Sequence, residues 1–159
     1  MSSETSYENG RLTFTRFYKA PITAVFDAWI KTSKVQLWWG CEGAVSVQSE
    51  VEPKVGGKYA HTMILENVGE YRHHGRIIEY EPPRLLAYEL SDAFHDKTML
   101  VRVEFIEQDG STRVQLKQTN LLDLYVEFVT AGWTFSLANL ATFLEETNET
   151  SDSLPHVLW

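Results

Sequence analysis

The run MLVRVEFIEQDGSTRVQLKQTNLLDLYVEFVTAGWTFSLANLATFLEET, residues 99–147, changes hydrophobic period once, and that change decides the fold. Met99, Val101, Val103 and Phe105 recur at every second position, the alternation of a strand with one face buried. Asp109-Gly110 follows between alternating runs, a strong two-residue hairpin signal, and Val114 and Leu116 continue the returning strand. From about Asp123 to Thr147 the spacing becomes that of a helix, uninterrupted by proline. Val126, Val129, Trp133, Leu137, Leu140 and Leu144 fall on one stripe. Leu124, Phe128, Ala131, Phe135 and Ala138 fall on nearly the opposite one. One stripe is expected to meet a sheet and the other the early helices, a loop or a second subunit. Gly132 costs about 1 kcal/mol relative to alanine in mid-helix, which predicts a close approach to the backbone or a bend there.

Upstream, the same period of two runs back to Ala44. Val45, Val47 and Val51 are read on one face, then Tyr59, His61, Met63 and Leu65, then His73, Gly75 and Ile77, then Leu86, Tyr88 and Leu90, with breaks at Pro53, Gly56-Gly57, Asn67–Gly69 and Pro82-Pro83. Short breaks between consecutive strands predict an antiparallel meander. Before it, Leu12, Phe14 and Arg16 alternate in a first strand. Pro21 opens a short helix carrying Val25, Phe26, Trp29 and Ile30. Ser33 is expected to cap a second one through Trp39, and Gly40 to end it. The reading is a single α+β domain over residues 11–148, with a polar leader at 1–10 and a tail at 149–159 whose Leu158 and Trp159 either pack locally or dock on a neighbouring subunit.

Composition bounds the function. The 159 residues carry 14 Lys+Arg against 22 Asp+Glu, a formal charge of −8, which disfavours nucleic acid and anionic membrane surfaces as partners. No apolar run approaches the roughly 20 residues of a membrane span. The first residues lack the basic and apolar segments of a secretory signal, and Cys41 is the single cysteine, so a cytoplasmic location is expected.

Five stretches then point to a family: Ala20-Pro21 with Val25-Phe26-Asp27-Ala28-Trp29; Leu37-Trp38-Trp39-Gly40; Val55-Gly56-Gly57-Lys58-Tyr59; Gly75 with Glu79 and Glu81-Pro82-Pro83-Arg84-Leu85; and Gly132-Trp133 with Leu137 and Leu140. In this order they resemble the START-like superfamily, and within it the branch named after the activator of Hsp90 ATPase. The resemblance implies a helix-grip fold, with a curved antiparallel sheet of about six to seven strands wrapped around a long C-terminal helix and two short helices after the first strand. Cys41 stands where such sequences often carry proline.

No catalytic constellation emerges. Gly110-Ser111-Thr112 lies in a hairpin without a paired base, and Cys41 follows a helix end, where no dipole stabilises a thiolate. His61 and His73 face the same way on adjacent strands while His74 faces the other, and no Asp or Cys falls at ligand spacing, so neither a metal nor another cofactor is expected. Trp39, Tyr59, Met63, Tyr88, Met99, Phe128 and Trp133 converge on one interior in a helix-grip arrangement, with His61, His73 and the two phenols as polar handles. They either pack as closed core or line a cavity for a small apolar or aromatic ligand. Binding with little or no catalysis is the leading expectation. Two alternatives follow from the resemblance: a polyketide cyclase-like enzyme using His61 or His73 as proton acceptor, and a chaperone-directed partner-binding domain, disfavoured by the ten polar residues that alone precede the first strand. A homodimer is left open.

Overall fold

The computed structural model describes residues 3–157, with side chains through Thr147. Eight strands form one antiparallel sheet: β1 (Glu4–Glu8), β2 (Arg11–Tyr18), β3 (Ala44–Val51), β4 (Tyr59–Leu65), β5 (Gly69–Glu81), β6 (Leu85–Ser91), β7 (Met99–Gln108) and β8 (Ser111–Thr119). Their spatial order is β1-β2-β8-β7-β6-β5-β4-β3, so every strand from β3 to β8 pairs with its sequence neighbour and β2 closes on β8. Two short helices, α1 (Ile22–Ile30) and α2 (Thr32–Trp38), connect β2 to β3. A single 3-10 turn, Asp123–Tyr125, leads into the long helix α3 (Val126–Val157). This is the α+β helix-grip architecture that the sequence predicts.

The leader is a correction to that reading. Residues 4–8 form β1, in register with β2 from Glu4 opposite Thr15 to Glu8 opposite Arg11. Asn9 and Gly10, both at positive φ, make the turn. Tyr7 reaches across to Asp123 and to the Leu121 carbonyl, tying β1 to the start of the helical segment.

The alternation seen in sequence is realised as burial. Met99, Val101, Val103 and Phe105 on β7 point inward, as do Thr112, Val114, Leu116 and Gln118 on β8. Val45 does not join Val47 and Val51, because a β-bulge between Ala44 and Ser46 turns it to solvent. Ser33 does not cap α2. The chain enters that helix from Lys31 without a side-chain cap, and Thr32 instead ties the helix to β3 through its hydroxyl and the Val51 N–H, at 2.9 Å.

On α3 the Trp133, Leu137, Leu140 and Leu144 stripe is buried against the sheet. Of the opposite stripe, Leu124, Phe128, Ala131 and Ala138 face solvent. Helix α3 also continues past Thr147, the end read from sequence, since nothing between Glu145 and Ser153 is a glycine or proline that would stop it. Leu158 and Trp159 lie outside the described residues.

The core is aromatic-rich. Trp29 makes edge contacts with Trp38 (4.8 Å) and Phe105 (6.0 Å) and stacks on Trp133 (5.9 Å), so α1, α2, β7 and α3 meet at one indole. Ser136 Oγ accepts from the Gly40 N–H at 2.9 Å and donates to the Gly40 carbonyl at 2.5 Å, which fixes the α2–β3 connection on α3.

Candidate functional site

A cavity of about 40 Å³ opens between the sheet and the N-terminal half of α3. Its wall is built from the α2–β3 connection (Trp39, Gly40, Cys41), the inward face of β4 and β5 (Met63, Tyr71, His73), Asp92 just after β6, Gln118 on β8, and Phe128, Val129, Gly132, Trp133 and Ser136 on α3. Of the residues expected from sequence, Trp39, Met63, His73, Phe128 and Trp133 come together here. Tyr59, His61, Tyr88 and Met99 are fully buried but do not line the cavity. Alternation fixes which face a side chain takes, not how deep along the strand the open space lies.

The four absent residues are held by the core. Tyr59 stacks on Tyr88 at 4.3 Å, and its hydroxyl donates to the Trp29 carbonyl at 2.8 Å, so burial and a satisfied bond keep this phenol protonated and occupied. Met99 Sδ lies 3.2 Å from Gln118 Nε2. His61 stacks on Trp39 at 4.1 Å and meets Ser49 Oγ through Nδ1 at 2.7 Å, while its Nε2 has no hydrogen-bond partner among the described residues. Burial, and then His73 nearby, hold His61 well below its ordinary pKa, so it is neutral.

His73 is the polar group most available to the cavity. It pairs in register with His61 across β4 and β5, and makes edge contacts with Trp39 (5.0 Å) and Tyr71 (4.8 Å). Burial pushes its pKa down to about 4 against a partial upward pull from Asp92. A neutral imidazole here can donate one hydrogen bond and accept another. His74, next along β5, is exposed on the other face, where Lys58 and Arg72 also lie.

Asp92 was not legible from sequence. Its side chain is 1% exposed. Oδ1 accepts from the Phe94 and His95 backbone N–H groups and from His95 Nδ1, each at 3.0 Å, and Oδ2 accepts from the Tyr71 hydroxyl at 2.8 Å. Burial pushes this carboxyl upward, but the bonds from His95, Tyr71 and Phe94 outweigh it and hold the group below its ordinary value. Gln118 and Ser136 are likewise committed: Trp133 Nε1 donates to Gln118 Oε1 at 2.7 Å, and Ser136 serves Gly40. The Cys41 thiol, 3.7 Å from Met63 Sδ, is pushed up by burial and is not an activated nucleophile.

Gly132 also departs from expectation. A β-carbon placed on it would meet nothing nearer than Cys41 Cβ at 4.0 Å. Open space borders the helix here, not a tightly packed neighbour, and the missing side chain leaves the cavity unfilled. The close approaches fall at other glycines. A β-carbon on Gly75 would lie 2.2 Å from the Tyr59 carbonyl oxygen, and one on Gly57 2.1 Å from that of Glu52.

A curved sheet gripping a long helix over an apolar, half-open cavity defines a START-like protein. Within that class the chain belongs to the family described as Activator of Hsp90 ATPase homolog 1-like protein, whose model matches residues 19–145. No curated protein matches it in sequence. Among solved structures it is similar to a protein from Chromobacterium violaceum (21% identity, 87% of this chain and 99% of that one, TM-score 0.80). It is also similar to one from Arthrobacter aurescens (17%, 91% and 91%, 0.79) and one from Rhizobium leguminosarum (24%, 91% and 97%, 0.67). At these identities the likeness speaks for the fold. No helix among the described residues is long and apolar enough to cross a membrane.

Proposed function

We propose that this protein binds a small hydrophobic or aromatic molecule between the sheet and α3, with little or no catalysis. The observation that carries the reading is the unfilled space beside Gly132, walled by Trp39, Met63, Phe128 and Trp133 on one continuous surface. Apolar rings supply shape and dryness, and His73 supplies one polar contact that sets orientation. At about 40 Å³ the cavity is smaller than the roughly 150 Å³ that accepts benzene. Loading therefore involves outward movement at the rim, where Phe128 is 43% exposed on the first turn of α3. Any proton transfer in the same cavity, as a cyclase-like activity requires, would fall to His73, because His61 is committed to Ser49 and Trp39.

A thermal-shift screen of flavonoids, polyketides, sterols, fatty acids and bile acids tests the proposal. A ligand at 100 times its Kd adds about 2.7 kcal/mol, roughly 5 to 10 °C for a domain of this size. A hit abolished by Trp133→Ala supports the site; no hit from any class removes the proposal. The chaperone-directed alternative has the family description as its support, and capture of recombinant Hsp90 at micromolar concentration would favour it over a small ligand.

A further inference from the structure

Among the side chains that line the cavity, Asp92 alone carries a formal charge at neutral pH. No lysine or arginine joins it: Arg72, adjacent in sequence to the lining residues Tyr71 and His73, turns to the opposite face of the sheet and pairs with Glu70 at 2.8 Å. His73 is neutral. His95 meets the carboxylate through Nδ1 at 3.0 Å, and the Leu122 N–H lies 3.3 Å from its Nε2. The Asp92 charge is thus buried beside an apolar space with no lysine or arginine among the lining residues. Four aromatic rings, those of Trp39, Tyr71, Phe128 and Trp133, border the same space. Ring faces attract cations and add nothing for anions.

We infer that the cavity selects its ligand by charge, taking an apolar ring that carries an amine or a hydroxyl and excluding the same ring when it carries a carboxylate. This rests on the binding reading above and narrows it. Fatty acids and bile acids drop out of the candidate ligands, while aromatic amines and neutral phenols or alcohols remain. A carboxylate entering the cavity would lose its hydration and meet Asp92 with no cation to receive it. An ammonium group would meet Asp92 and the rings, and a hydroxyl would meet the imidazole of His73.

The test is a titration of the intact chain at pH 7 and matched ionic strength with benzylamine, benzyl alcohol and benzoate, followed through the indole N–H resonances of Trp39 and Trp133. Benzylamine and benzyl alcohol should give saturating shifts, with benzoate weaker by about tenfold or more, as expected for like charges brought together in a desolvated site. Asp92→Asn should narrow that gap. Phe128→Lys, at an exposed rim position where a lysine is readily accommodated, should reverse it by supplying the missing cation. If Asp92→Asn fails to fold, the unmodified chain and Phe128→Lys decide. Equal binding of benzylamine and benzoate by the unmodified chain, or an unchanged preference in Phe128→Lys, overturns charge selection and leaves the cavity reading standing. Shifts from none of the three compounds overturn both.

Discussion

Replacing Gly132 by alanine should raise stability and weaken ligand binding together, the trade expected where a site is kept open at the expense of packing. Gly132 lies inside α3 with an ordinary helical backbone, so alanine removes the entropic penalty of glycine, worth about 1 kcal/mol at a helix interior. The new methyl meets no atom closer than 4.0 Å and adds apolar contact with Cys41 instead of strain. For a domain of this length that is a rise of roughly 2 to 4 °C in Tm. The same methyl occupies part of a cavity of only about 40 Å³, and Gly132→Leu would fill it. The assay is a pair of thermal melts, with and without the best hit from the screen, on the unmodified chain and both variants. A lower Tm for Gly132→Ala would refute the packing argument, since it would mean the backbone there has no room. A higher Tm with an undiminished ligand-induced shift would refute the location of the site.

Other perturbations separate core from cavity. Gly75→Ala drives a β-carbon to 2.2 Å from the Tyr59 carbonyl oxygen and should destabilise by about 3 kcal/mol or more, read as a lower urea midpoint. Tyr59→Phe should cost about 1 to 2 kcal/mol by stranding the Trp29 carbonyl while leaving ligand affinity unchanged, because that hydroxyl faces the core; a loss of affinity without loss of stability would contradict the assignment. Stability should also fall with acid. His73 and His61 are neutral when folded, with pKa values held below the ordinary 6.5 by burial, so the unfolded chain binds more protons between pH 6.5 and about 4. Stability is fully present above pH 6.5 and declines below it by up to about 1.4 kcal/mol per pH unit for each histidine. His73→Gln should flatten that slope in denaturant melts taken from pH 7 to 4.

What the sequence discloses follows from where burial is periodic. On β7 and β8 each inward residue sits two from the next, so the strands and the Asp109-Gly110 hairpin could be read directly. On α3 the sequence offered two apolar stripes and no means of choosing between them. The structure chooses the one containing Trp133, Leu137 and Leu140, and places polar Ser136 among them because the backbone of Gly40 needs both a donor and an acceptor there. Strand β1 was missed because an edge strand buries little and shows no apolar alternation. Five of nine proposed cavity residues line the space. Tyr71 and Gln118 continue the inward alternation of β5 and β8 and were within reach of the same reasoning. Asp92 was not. Its role depends on His95, three residues on, and on Tyr71 from a neighbouring strand, a convergence that leaves no periodic trace.

The two margins of the sheet carry one further consequence. One margin is β1, with Glu4, Thr5, Ser6 and Glu8 along it; the other is β3, kinked by its bulge and presenting Ser46, Gln48 and Glu50 outward. Charge at one border and a local kink at the other both discourage a foreign strand from docking by main-chain pairing. The chain is thereby guarded against sheet extension and fibril-like stacking while its central strands assemble. Removing residues 1–8 would expose the β2 backbone, with Leu12 and Phe14 on that strand, and turn a guarded border into an adhesive one.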